Sequence, residues 1–212
     1  MRIRDVLFVA SIMFVTATAM PLAHSAEGPS PANHACDIPG WIYNADPLGV
    51  AVRAAPTIDS PVRARLPSTV ETEYGLPISI GITASEAGWF HIEDPAYDPD
   101  PLGPPAPEMP DVQGWVDAAQ VVVIVQGTHG RAAPTRTAAV IDEFRVGWLS
   151  DSAVIDRVLD CAGQWVKVEY RHLAEDRGMG PSARVPVGPA RQAWFTDLCA
   201  IQETTCDMRG TD

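Results

Sequence analysis

The pentapeptide Arg-Ala-Ala-Pro-Thr stands at residues 53–57 and again at 131–135, 78 residues apart. What constrains the fold is that other landmarks keep nearly the same offset. Trp89 in GWFHIED precedes Trp165 in QWVKVEY by 76 residues, and Trp115 in GWVDAAQVVV precedes Trp194 in AWFTDLCAI by 79. The order between them repeats too: the pentapeptide, a short apolar step (PVRARL or AAVIDEF), an apolar strand, a first Trp strand, a polar loop and a second Trp strand. Self-similarity at a fixed period marks one supersecondary unit written twice.

Local pattern says what builds the unit. PISIGIT places Ile78, Ile80 and Ile82 at period two, and VIDRVL and WVKVEY are rich in β-branched and aromatic residues. Such runs read as strands, and no stretch longer than ten residues has a clean 3.6-residue period. With 20 prolines and 16 glycines between short apolar runs, the chain is expected to be all-β: two tandem small antiparallel barrels, at residues 40–125 and 126–206, with a tail at 207–212.

The N-terminus carries Arg2 and Arg4, an apolar run from Val6 to Met20, and Ala23-His24-Ser25 beyond Pro21. This reads as a cleaved export signal over 1–25 followed by a leader over 26–39, which predicts a periplasmic or secreted protein. Without Arg2, Arg4 and Asp5 the chain keeps 13 basic and 26 acidic residues, a net charge of −13, and Lys167 is its only lysine. Nucleic acid and anionic lipid both require clustered Lys and Arg, so neither is an expected partner. Cys36, Cys161, Cys199 and Cys206, in an exported chain, are expected to form disulfides in one of three pairings. Small domains gain from such staples. Cys161–Cys199 with Cys36–Cys206 would tie the second unit internally and lock the ends; a local Cys199–Cys206 loop competes, and the residues leave the choice open. No two of His34, His91, His129 and His172 stand at metal-ligand spacing and no C-x-x-C pair exists, so no metal or cofactor is expected. The one local cluster, His34-x-Cys36-Asp37, falls in the leader.

GVAVRAAPTIDSPVRARLP, with GWFHIED and GWVDAAQVV downstream, resembles the bacterial Src-homology-3 (SH3) domain, whose opening reads roughly L-N-V-R-x-G-P-S/T and whose final strands carry G-W-V. The resemblance covers residues 40 to about 206. The first copy matches at Val52, Arg53, Pro56 and Thr57, and departs at Ala51 and Ala55. The second retains Arg131 and Pro134 but has His129, Gly130 and Ala133 in the motif and Ala193 before the last Trp. The resemblance implies a five-to-six-strand barrel and an association with the cell wall or envelope.

No nucleophile with its base, opposed carboxylate pair, phosphate loop or H-E-x-x-H occurs in the sequence, so no enzymatic activity is expected. Cys161 before Ala-Gly suggests a thiol hydrolase only until the even cysteine count is considered. Trp89, Trp115, Trp165 and Trp194 recur in both copies and read as packing or strand-capping residues. Trp41 and Trp148 have no repeat partner and, with Tyr43, are the candidate ligand contacts. Residues 94–113 hold seven prolines and predict an extended, polyproline-like loop; LAEDRGMGPSARVPVGPA is the matching long loop in the second copy. The expected function is a non-catalytic binding module for an envelope component, a peptidoglycan peptide or an envelope protein. The alternatives are a scaffold or inhibitor that presents the Pro-rich loop to a protein partner, or an unrecognised hydrolase.

Overall fold

A computed structural model describes residues 34–43, 46–67, 78–97, 109–144, 148–174 and 185–199, all within one compact unit. Residues 1–25, expected as an export signal, Cys206 and residues 98–108 of the Pro-rich loop lie outside them. The strands are β1 (His34–Ile42), β2 (Val50–Arg53), β3 (Val62–Leu66), β4 (Ile78–Glu86), β5 (Trp89–Tyr97), β6 (Gly114–Asp117), β7 (Val121–Val122), β8 (His129–Arg131), β9 (Val140–Glu143), β10 (Ala153–Ala162), β11 (Trp165–Leu173) and β12 (Pro186–Phe195). One 3-10 turn (Ala118–Gln120) and one four-residue helix, α1 (Leu149–Ser152), complete the described elements. Ile78, Ile80 and Ile82 are buried on one face of β4, as their period-two spacing predicts.

The chain is all-β, in two antiparallel sheets ordered β3-β2-β6-β5-β4-β1-β7 and β10-β11-β12-β8-β9. Read from its other edge, the second sheet runs β9-β8-β12-β11-β10, which repeats the first five strands of the first sheet. Register repeats as well. Ala51 faces Arg65, Val52 faces Ala64 and Arg53 faces Val62; 78 residues on, His129 faces Glu143, Gly130 faces Asp142 and Arg131 faces Val140. Arg53 pairs with Trp115, and Arg131 with Trp194.

The pentapeptide loops share their hydrogen bonds. Arg53 donates to the Ser60 carbonyl and Arg131 to the Ala138 carbonyl, both at 2.8 Å. Ala54 and Ala132 donate N–H across the loop to Pro61 and Ala139 at 2.9 and 3.0 Å. These bonds satisfy carbonyls that the turn leaves without a ladder partner.

Neither sheet closes into a barrel. The outer edge of β4, which would have to meet β3, is occupied by β1. Residues 34–39, expected as leader, are therefore strand. β1 also meets the second half: Asp37 N–H donates to the Gly163 carbonyl and Gly163 N–H to the Ala35 carbonyl, each at 2.8 Å. Beside this bridge Cys36 is disulfide-bonded to Cys161, which rules out both the Cys161–Cys199 and the Cys36–Cys206 pairings. Cys36 sits in a core strand 5.7 Å from Cys161, Cα to Cα. Cys199 is also disulfide-bonded. Ser85 Oγ donates to Asp160 Oδ1 at the same junction. One buried apolar cluster runs through both halves, from Ile38, Val52 and Phe90 to Val158, Val166 and Phe195. The second long loop is shorter than expected, because Pro186 and Val187 already pair with Leu173 and His172.

Two departures between the halves compensate each other. A Cβ on Gly114 would lie 2.9 Å from Val52 Cγ1 and 2.5 Å from the Arg53 carbonyl oxygen, so only glycine lets β6 approach β2. In the second half Gly130 replaces the valine and Ala193 the glycine, and a Cβ on Gly130 would lie 2.9 Å from Ala193 Cβ. The bulk has changed sides of the contact.

Gly130→Val should destabilise the protein by about 1–3 kcal/mol through overpacking. Adding Ala193→Gly should recover part of that loss in urea titrations, although Phe195 Cζ, 2.9 Å from the same position, prevents full recovery. Replacing Cys36 and Cys161 together by alanine opens a link of sequence separation 125 and should cost roughly 4–5 kcal/mol. Peptide mapping without reductant should recover the Cys36–Cys161 cross-link.

Candidate functional site

Register places a row of four side chains on one face of the first sheet. Arg65 on β3 faces Ala51 on β2, and Trp89 on β5 faces Asp117 on β6. Because Arg53 pairs antiparallel with Trp115, the same register carried two residues further sets Ala51 beside Asp117. The row is Arg65–Ala51–Asp117–Trp89, and cross-strand neighbours share a face. Ala51 is the small residue at its centre, and a cleft of ≈ 320 Å³ opens there, lined among others by Asp46, Arg53, Ile58, Arg65, Trp89 and Asp117.

The charges in this cleft differ in how firmly they are held. The Arg53 guanidinium is committed to the Ser60 carbonyl. Asp46 accepts the Leu48 N–H at 2.9 Å within its own turn. Asp117 caps the 3-10 turn, accepting the Ala119 N–H at 2.9 Å, which leaves most of its carboxylate's acceptor capacity unused. Arg65 is exposed and touches only the Leu48 and Gly49 carbonyls, both at 3.4 Å, the long end of hydrogen bonding. It forms no ion pair among the described residues. The rim adds exposed apolar surface at Leu48 and Ile58, 70% and 65% accessible.

The second half has no counterpart to this charge pattern. The residues that match it in the repeat are Glu143, His129, Thr196 and Trp165, but they form no continuous row: His129 pairs with Glu143, whereas Thr196 backs on Gly127. An imidazole replaces the central alanine and a carboxylate replaces the guanidinium. That half carries a different polar cluster. Asp142 Oδ2 accepts from Tyr170 Oη at 2.8 Å, lies 2.8 Å from His172 Nε2 and accepts from Arg191 at 3.2 Å. His172 stacks on Phe144 with ring centroids 5.0 Å apart. Burial pushes the Asp142 carboxyl up. The hydrogen bonds from His172 and Tyr170, with the charges of His172 and Arg191, outweigh it and hold the group below its ordinary 3.8. Burial, then Asp142, raises the Tyr170 hydroxyl above its ordinary 10.0, so it remains a donor. The cluster ties β9, β11 and β12 together.

The expected ligand contacts are not brought together at the surface. Trp41 is buried on β1 against Cys199, with Ile124 and the half-buried Trp148 packed beside them. Its indole N–H has no hydrogen-bond partner among the described residues. Tyr43 is exposed. Trp148 precedes α1, and its carbonyl accepts the Asp151 and Ser152 N–H groups. Trp194 is buried, and Trp89, Trp115 and Trp165 are half-buried; Trp89 alone of these lines the cleft. Pro56 and Pro134 occupy matching places in the two pentapeptide loops. Trp115 packs edge-on against His91 at 5.3 Å. His91 accordingly lies below its ordinary 6.5, through burial first and the Arg63 charge second, against the opposing pull of Glu93. Among the described residues no group of three His, Cys, Asp or Glu side chains could hold a metal ion, and no helix is long and apolar enough to cross a membrane. Sequence reading missed Arg65 and Asp117. The signal that could have found them was the repeat itself, in which Arg65 aligns with Glu143 and Asp117 with Thr196.

Comparison with family models, with curated proteins and with solved structures gave no match for this chain.

Asp142→Ala should destabilise the protein by about 1–3 kcal/mol, because Tyr170 loses a buried acceptor. Since the folded carboxyl titrates below 3.8, its contribution is complete above that value and is lost as pH falls through the lower folded pKa. Asp142→Asn should therefore flatten the stability profile below about pH 4, measured by urea unfolding across pH.

Proposed function

We propose that this chain is an exported, non-catalytic binding protein, built from two diverged copies of an SH3-like unit and acting in the periplasm or outside the cell on an envelope component, a peptidoglycan peptide or an envelope protein. The cleft over Ala51 carries this reading, because Arg65 and Asp117 line it together with Trp89 and have polar capacity that the fold does not use. Small apolar floors with a few convergent polar groups are the usual form of a ligand site. The repeated five-strand order supports the duplicated unit, and the Cys36–Cys161 disulfide suits an oxidising compartment. The first half is the binding copy. The second, with Asp142 bound internally to Tyr170, His172 and Arg191, serves as a rigid base.

Purified protein should be retained by isolated cell wall or by an envelope extract above an unrelated acidic protein of similar size. Trp89→Ala should weaken retention roughly tenfold, the scale of losing one aromatic anchor. Equal retention of the control sinks the reading, and equal retention of Trp89→Ala removes the cleft from it. Retention that survives Trp89→Ala but fails on deletion of residues 98–108 would transfer the role to the Pro-rich loop.

A further inference from the structure

We infer that the cleft over Ala51 selects a short zwitterionic peptide, with the peptide's terminal carboxylate at Arg65 and its terminal ammonium at Asp117. The inference rests on the cleft being the binding site and adds what that site reads.

The backbone positions that carry the two groups stand two strand steps apart, because β3, β2 and β6 are consecutive in the sheet. At ~4.8 Å per step this is about 10 Å. A chain extends by ~3.3–3.6 Å per residue, so two to three residues bridge that gap. The charge order along the row is fixed: guanidinium on β3, no charge at Ala51, carboxylate on β6, then the Trp89 indole on β5. A ligand carrying only negative charge would meet Asp117 and Asp46, and one carrying only positive charge would meet Arg65 and Arg53. A ligand with opposite charges at its two ends satisfies both. Arg65 presents the fork of donors that fits a carboxylate, and its present contacts at 3.4 Å are long enough to exchange for a better acceptor. Asp117 retains acceptor capacity after its single cap bond. Trp89, one strand beyond Asp117, and the exposed Ile58 line the same cleft and offer apolar area to the peptide's side chains.

The second half is an internal control. It keeps what the shared fold requires: the pentapeptide arginine on its loop carbonyl, the Trp at the start of β11 and the cross-strand register. It does not keep Arg65, Ala51 or Asp117, which become Glu143, His129 and Thr196. The Arg65 position changes charge at Glu143 while its backbone register is maintained, so its charge is not set by folding; Asp117 caps the 3-10 turn but keeps acceptor capacity beyond that one bond. The Arg65 and Asp117 charges are therefore free to serve recognition, and the second half is expected not to bind the same peptide.

The test uses trialanine with both ends free, its N-acetylated form and its C-terminal amide, titrated by calorimetry into the whole exported protein. Free trialanine should bind at least roughly tenfold more tightly than either blocked form, the scale of one charge-assisted hydrogen bond. Arg65→Gln should bind the acid and the amide equally, and Arg65→Lys should keep part of the preference. Asp117→Asn retains a capping side chain and should bind the free and acetylated forms equally. No binding of free trialanine, a less than twofold effect of blocking either end, or an unchanged preference in Arg65→Gln overturns the inference. If the protein is still retained by cell wall through Trp89 in that case, the binding role stands and only the zwitterion is wrong.

Discussion

β1 is the strand on which both halves depend, although it repeats in neither. Its backbone satisfies the open edge of β4, and at its N-terminal end it exchanges two 2.8 Å hydrogen bonds with Ala35, Asp37 and Gly163 as partners. Cys36 anchors the same point covalently to Cys161. An unpaired sheet edge invites pairing with another chain, and here the edge is covered from within. The price of that cover is closure: once β1 lies along β4, β3 has nothing to meet, and the sheet stays open. A single apolar core then forms across both halves, where two units of this size would each have buried a thin one.

Against that frame, the two halves separate what folding demands from what it leaves free. The arginine of each pentapeptide holds its loop at 2.8 Å in both halves, and the Trp that pairs with it is kept on β6 and β12. Arg53 and Arg131 are thus structural, however exposed an arginine looks in a sequence. Arg65 and Glu143 share a register position and have opposite charge, so the backbone there is indifferent to what it carries. In the second half, Asp142 turned inward to Tyr170 and His172 spends its polar groups on holding three strands together.

Much of the framework could be read from residues alone. The offsets of 76 to 79 reflect five strands in one order, and the isoleucines of β4 lie on the buried face their spacing assigns. The disulfide could not be read, because cysteine pairing depends on how far apart two strands lie in space, and Cys36 was assigned to a leader by its position before the first repeat. Trp41 misled for a related reason. A tryptophan beside a glycine and outside the repeat looks like a surface anchor, but β1 is an added core strand, and Gly40 lies close against Ile82 and Val122. The candidate site stayed hidden because its four residues come from four strands, 65, 51, 117 and 89 in row order, and only register joins them. Comparing the copies residue by residue, with attention to where they disagree, points to the same positions.

The exchange of bulk between Val52 with Gly114 and Gly130 with Ala193 also bears on how a duplicated chain avoids tangling with itself. Strands of similar sequence within one polypeptide can dock on the wrong copy and trap a misassembled form. Were β2 to seek β12, valine would meet alanine; were β8 to seek β6, glycine would meet glycine and leave a hole. Each half thus recognises its own final strand by shape, and correct assembly is sorted at a contact a few atoms wide.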